Sequence, residues 1–288
     1  MNNTLIIFPS WEERSTLGFQ KDIEAYPNLN KVFLFRFEKS AHTNETDKSI
    51  FEIEKICLSK SIISEKLSIP NTEVEKWRTL EAFAQNLDIN TNICIDITTM
   101  PRSIIWTLFF FFKQKFQQIT VLYHKPNEYS KEWLSKDPDV PQLLFKHSGI
   151  IEFDKPTTFF VLAGFDEDRV IQLVNYYEPQ NLIIGECNPQ KPFEYGVINP
   201  EKIDINQYND EWGYDVIEEK ITNILKTSNL IIASLGPKTG AISVYQCFMN
   251  HPEIALAYVP CKEFNIDYSK GIGDTLVKEI KFTSMPIL

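Results

Sequence analysis

Two short stretches of the chain carry side chains suited to holding an anion. In CIDITTMPRS, residues 94–103, Thr98, Thr99, Arg102 and Ser103 lie between one apolar run and another, IIWTLFFFFK. In LIIASLGPKTGA, residues 230–241, Ser234, Gly236, Lys238, Thr239 and Gly240 repeat that layout, with Lys238 standing where the first stretch has Arg102. Each reads as a buried strand giving way to a buried helix. A helix N-terminus presents backbone N–H groups and about half a positive charge. Hydroxyls, glycines and a cation placed there can cradle a phosphate. The proline ahead of each basic residue suits a helix start, where its missing N–H has no partner to lose. A Thr or Ser at such a place is also an ordinary helix cap worth about 1 kcal/mol, and that plainer reading stands beside the first.

A second pair of loops carries aromatic and basic residues. Ser10, Trp11 and Arg14 follow the apolar run LIIF, and Gly164, Phe165 and Arg169 follow FFVLAG. An aromatic ring can stack on a base while the arginine holds phosphate; alternatively Trp11 and Phe165 are lids on the core. The acidic neighbours Glu12 and Asp166 suit helix capping, or a contact with a ribose hydroxyl. Other chemistries lack their signatures. Neither G-x-x-x-x-G-K-[ST] nor a G-x-G-x-x-G after a first strand occurs, and GIGD at 271–274 is in the wrong context. No G-x-S-x-G elbow is present. His42, His147 and His251 have no ligand-like spacing, so no metal site and no cofactor are expected, and no catalytic residue is assigned. His124 ends a strand beside Lys125, where it is either a surface histidine or a general acid. Cys94 and Cys247 sit in apolar runs and read as core. The five scattered cysteines form neither a disulfide framework nor a C-x-x-C pair.

The elements that must position these residues form a repeat. Each half begins with a strand, a polar loop and a helix, continues with KVFLFRF or NLIIGE, and runs through helical stretches such as FEIEKICLSKSII, VEKWRTLEAFAQNL and DVIEEKITNILKT. Each then reaches one of the two quoted turns and a closing strand, QITVLYHKP or IALAYVPCK. Even the tails match, NEYSKEW against IDYSKGI, so Tyr129, Tyr268, Lys131 and Lys270 either rim the same face or mark a shared packing corner. Strands that are apolar throughout and alternate with helices indicate parallel sheets covered on both faces. The expected fold is α/β, two tandem Rossmann-like units related by internal duplication, residues 1–150 and 156–288, with the boundary near 149–156.

A 288-residue chain with 43% hydrophobic residues can bury a real core. Its net charge of −10 makes it a poor partner for duplex nucleic acid. The longest apolar run is far short of the roughly 20 residues that cross a bilayer. The N-terminus reads as a strand without a basic leader, and a cytoplasmic protein with no membrane association is expected.

The polar loop after a first strand, and the Thr/Gly/Lys turn opening a helix, resemble the CARF domain, a sensory module of type III CRISPR accessory proteins whose turn often reads like D-x-T-G-G-T-K. DITTMPR keeps Asp96, Thr98 and a basic end at Arg102; SLGPKTG keeps Gly236 and Lys238. Two such units in one chain are similar to the SAVED sensor of anti-phage signalling. The departures are the missing paired glycines in the first turn and the proline before each basic residue. The resemblance implies a nucleotide-binding sensor of a prokaryotic defence system, its ligand a cyclic oligonucleotide held at the carboxyl edges of the two sheets. No PD-(D/E)-x-K nuclease core is found, and the HEPN-like spacing from Arg36 to His42 falls in an unsuitable context. An effector protein partner or a homo-oligomer is therefore expected. Two alternatives stay open: a metal-independent phosphodiesterase or nucleotide-transferring enzyme using the same groove, and an interaction subunit without a small ligand.

Overall fold

The computed structural model describes residues 3–164, 167–187 and 199–282. The chain opens with β1 (Asn3–Ile7), α1 (Glu13–Ala25), β2 (Leu29–Phe37), α2 (Thr43–Ser59), β3 (Ile63–Ile69), α3 (Glu73–Asn86) and β4 (Asn92–Asp96). Next come α4 (Arg102–Phe112), β5 (Gln118–His124), β6 (Glu128–Tyr129), β7 (Ser135–Pro138), β8 (Gln142–Ser148), β9 (Thr157–Ala163) and α5 (Glu167–Tyr177). The rest comprises β10 (Asn181–Glu186), β11 (Glu201–Asp204), α6 (Tyr214–Leu225), β12 (Asn229–Ser234), α7 (Lys238–Asn250), β13 (Ala255–Tyr258), β14 (Cys261–Phe264), β15 (Ser269–Lys270) and β16 (Thr275–Lys281).

Two six-stranded sheets organise these elements, in the orders β16-β5-β4-β1-β2-β3 and β11-β10-β9-β12-β13-β8. All neighbours within them are parallel except β16 with β5 and β8 with β13. The fold is thus two mainly parallel Rossmann-like units. Each has the same strand order and an antiparallel strand beyond its last parallel one.

The apolar runs become central strands because both faces are covered. In β9 every residue from Thr158 to Ala163 is buried, as is β1 from Thr4 onward. Beyond Arg102 and Ser103, helix α4 is apolar but for Thr107, and Ile104, Ile105, Trp106, Leu108, Phe109 and Phe112 are all sealed from water. Each such side chain contributes about 1.5–3 kcal/mol by leaving water. Trp77 of α3 packs its ring 4.8 Å from Phe110 and 4.7 Å from Phe111, fixing α3 against α4. In the second unit Phe159 and Val161 of β9, Val170 and Leu173 of α5, and Leu182 and Ile184 of β10 form one cluster.

Three features add to the sequence expectation or depart from it. The stretch around Ile63, expected to be helical, is split: α2 stops at Ser59, Ser61 adopts a left-handed φ of 57°, and the chain turns into β3. The matching Y-S-K tails pair with each other, Ser269 opposite Tyr129 and Lys270 opposite Glu128, so β15 belongs with the first unit. The compact units are Met1–Glu132 with Asn265–Leu288, and Trp133–Phe264. The stretch 149–156 lies inside the second of these units, because β8 pairs with β13 of the second sheet, while β16 pairs with β5 of the first.

Candidate functional site

In the first unit the chain runs from β1 outward to β2 and β3, then crosses to β4 and β5 on the other side. The switch point lies between β1 and β4, and open α/β sheets bind ligands beyond the carboxyl ends of the strands at such a place. The loops after these two strands carry the residues singled out from the sequence. Thr99 joins the loops, its Oγ1 donating to the Phe8 carbonyl at 2.5 Å. Thr98 is buried: its N–H donates to Asp96 Oδ1 at 2.7 Å and its Oγ1 accepts from the His124 N–H at 2.9 Å. Ser10 is also buried and works within its own loop, accepting at Oγ from the Glu12 N–H at 3.1 Å. Trp11 is half-buried, donates from Nε1 to the Asn265 carbonyl at 3.2 Å and lies 4.8 Å from the His42 ring.

Arg14, expected to reach a phosphate, is sealed in the unit. It pairs with Glu12 at 2.9 Å and donates to the His124 carbonyl at 3.2 Å, while Ser269 donates to the same Glu12 carboxylate at 2.6 Å. Burial opposes its charge, but Glu12, Tyr123 and Tyr129 more than restore it. Such a guanidinium is a strut between α1, β5 and β15. What faces outward is the start of α4, where Thr99 and Arg102 are half-buried while Ser103 is buried. Pro101 caps that helix in an extended conformation, as expected for a residue leading into the first turn.

The second unit repeats the arrangement with its switch point between β9 and β12. Lys238 opens α7 after Pro237 and is half-buried; Ser234, Gly236, Thr239 and Gly240 are buried. Arg169 is buried and donates to the Val259 carbonyl, a second strut rather than an outward cation. Phe165 and Asp166 lie outside the described residues. The glycines have a physical reason that involves the chain itself. A Cβ on Gly164 would overlap the Leu235 carbonyl oxygen, and one on Gly236 would come within 2.8 Å of the Ala163 carbonyl oxygen. The two switch-point loops therefore touch backbone to backbone. Gly240 makes room for the Gln207 side chain, delivered by the loop after β11.

Gln207 gave no signal in the sequence, and His124 gave one without its partner Asp22. Gln207 is fully buried against the turn, and its loop shows no motif. His124, readable as a surface histidine, is completely buried, with Nε2 3.0 Å from Asp22 Oδ1 and Nδ1 2.8 Å from Thr275 Oγ1. Burial raises the Asp22 carboxyl to about 7, with Asp96 adding to the effect and the hydrogen bond to His124 opposing it. Burial alone would lower His124, but its hydrogen bond to Asp22 and the charges of Asp96 and Asp22 raise it overall.

No protein-family model and no curated protein matches the chain. A solved structure shares its fold. That structure is a type III CRISPR defence DNA nuclease activated by cyclic oligoadenylate, similar with a TM-score of 0.57 at 6% identity over 85% of this chain. The match spans 64% of the nuclease chain, so the likeness concerns part of that protein and, at this identity, its fold. A protein of unknown function from Pseudomonas aeruginosa PAO1 aligns over 89% of this chain and 92% of its own with a TM-score of 0.31 at 9% identity, too low to carry an argument. Among the described residues no helix is long and apolar enough to cross a membrane.

Proposed function

We propose that the chain is a CARF-like nucleotide sensor of a prokaryotic defence system, taking an anionic nucleotide at the carboxyl edge of each unit. The observation that carries this reading is positional. In both units the basic turn opens a helix beside the switch point, and Arg102 and Lys238 are half-buried there while the neighbouring hydroxyls face inward. A helix N-terminus and a cation converging on one spot favour a phosphate. The fold shared with a protein activated by cyclic oligoadenylate supports a cyclic oligonucleotide as the ligand class. Arg102 and Lys238 hold phosphate, the turn N–H groups add neutral donors, and Trp11 flanks the edge of the first unit. Signalling then passes to an effector partner.

Calorimetric titration with linear and cyclic oligoadenylates tests this. Binding is expected in the wild type, with Arg102→Ala and Lys238→Ala each weakening it by about 1–3 kcal/mol, the loss of one charged hydrogen bond. Unchanged affinity in both variants removes the cradle. Chromatography of the recovered ligand separates sensor from enzyme: intact ligand fits a sensor, while cleaved ligand makes the chain a phosphodiesterase.

A further inference from the structure

Three ligand-type side chains from distant parts of the sequence meet inside the first unit: Asp22 from the last turn of α1, Asp96 from the end of β4 and His124 from the end of β5. One ligand atom from each lies within 4.8 Å of the others. Their sequence separation hides them from any spacing rule, which is why no metal site is expected from the sequence. The geometry points to a binding site for one divalent first-row cation, held by Asp22, Asp96 and His124.

The chemistry of the donors fits. Two carboxylates and a neutral imidazole carry the two negative charges that one divalent ion neutralises, and mixed oxygen–nitrogen sets suit Mn²⁺, Fe²⁺, Co²⁺ or Zn²⁺ over Ca²⁺. The second observation is Asp22 Oδ2, a buried carboxylate oxygen without a hydrogen-bond partner on a residue only 2% exposed. Leaving such an oxygen unmet costs more than leaving a neutral group unmet. The contact between His124 Nε2 and Asp22 Oδ1, at 3.0 Å, also has a meaning. With bonds of about 2.1 Å, ligands at right angles stand about 3.0 Å apart and tetrahedral ones about 3.4 Å. The spacing therefore matches neighbouring ligands of an octahedral ion better than those of a tetrahedral one.

The outer contacts are those a ligand set needs. Thr275 Oγ1 meets His124 Nδ1 at 2.8 Å, leaving Nε2 to face the carboxylates. The Thr98 N–H fixes Asp96 Oδ1. Gly18 gives the imidazole its room, because a Cβ there would lie 2.6 Å from His124 Cδ2. Asp96 ends β4 just before the switch-point loop. Filled, the site ties α1 to the ends of β4 and β5 beneath the loops that carry Thr99 and Arg102. It stands independently of whether that edge binds a nucleotide.

The test uses full-length protein dialysed against a chelator and then titrated with MnCl₂, CoCl₂ and ZnCl₂, without any nucleotide. One ion per chain is expected by elemental analysis after desalting, with a rise in the thermal midpoint. Asp22→Asn and Asp96→Asn, which keep size and hydrogen bonding, should each weaken binding at least about tenfold while circular dichroism stays native. Absence of stoichiometric uptake, or unchanged affinity in both variants, overturns the site and leaves a proton-sharing pair. Should neither variant fold, the Co²⁺ spectrum of the wild type decides: a perturbed visible band saturating at one equivalent supports the site, and the spectrum of the free aquo ion overturns it. Nucleotide binding is read in a separate titration, so failure of one result does not entail failure of the other.

Discussion

The Asp22 carboxyl and the His124 imidazole meet in a part of the first unit that water does not reach, and without a cation they must share a proton. Burial raises Asp22 to about 7 from its ordinary range near 4, and His124 is raised as well. Both groups bind protons more tightly folded than unfolded. The contribution of Asp22 is complete below about pH 4 and is lost as pH rises to about 7, while that of His124 is complete below its ordinary value of 6.5 and is lost above it. The charged groups that bear on the pair are Asp96 on β4 and Lys21 on α1, with Thr275 on β16 as the neutral partner. In chelator-treated protein the thermal midpoint should fall between pH 6 and pH 8.5 by more in the wild type than in Asp22→Asn, read by calorimetry. Equal falls would remove Asp22 as the cause. The cysteines give a second prediction at this scale. Burial pushes the Cys57 and Cys94 thiols up to about 11, and Cys247 is also buried, while Cys187 and Cys261 are half-buried. A thiolate-specific reagent at pH 7.5 should label Cys187 and Cys261 in the native protein and all five after denaturation. Rapid native labelling of Cys94 would contradict its placement in the core.

Elements were legible in the sequence wherever burial left a continuous apolar run. The central strands β1, β2, β9, β10 and β12 and the mostly apolar helix α4 are of this kind, whereas the turns that follow β4 and β12 were legible from their hydroxyl, proline, glycine and basic residues. Edge strands escaped because their pattern is set by half-exposed surroundings: ISEKLSI of β3 has three polar residues in a row, Ser64, Glu65 and Lys66, and only Ile69 buried. The candidate site was legible as a position, since the turns are where a parallel sheet must put them. Its glycines were legible as close approach but not as to what, because the answer lies in a strand far away in sequence. Gly164 and Gly236 press carbonyls of the opposite loop. Gly164→Ala should therefore destabilise by about 1–3 kcal/mol in denaturant unfolding, since a backbone carbonyl cannot swing aside as a side chain can. Gly240→Ala poses a different contest. Alanine gains about 1 kcal/mol of helix propensity over glycine, but its methyl meets a Gln207 side chain that is itself fully buried. A loss of stability in Gly240→Ala that Gln207→Ala restores would show that packing wins, whereas a stabilised single variant would show that Gln207 can move away.

At the scale of the whole chain the sequence repeat and the compact units do not share boundaries. Residues 133–264 leave the first unit after β6 and return to it before β15, and these two short strands are paired. The Ser130 N–H donates to the Tyr268 carbonyl at 3.1 Å, and the Asn265 side chain donates to Ser130 Oγ at 3.0 Å. The ends of the second unit are thus held close together, the condition under which one domain can be inserted into another without disturbing it. Within the second unit β7 pairs with β14, and β8 completes the sheet beside β13. A fragment of residues 133–264 therefore keeps every strand of the second sheet and should unfold cooperatively in a thermal melt. A fragment of residues 156–288, the division the repeat alone suggests, lacks β8 with its buried Leu144 and His147. It also carries β16 without β5, leaving Ile280 and Phe282, both buried in the intact protein, with no sheet to cover them. An exposed β13 edge together with an unpaired β16 favours aggregation over folding. The longer fragment should accordingly be the worse folded of the two, and a sharp melt for 156–288 with none for 133–264 would return the boundary to the point between the repeats.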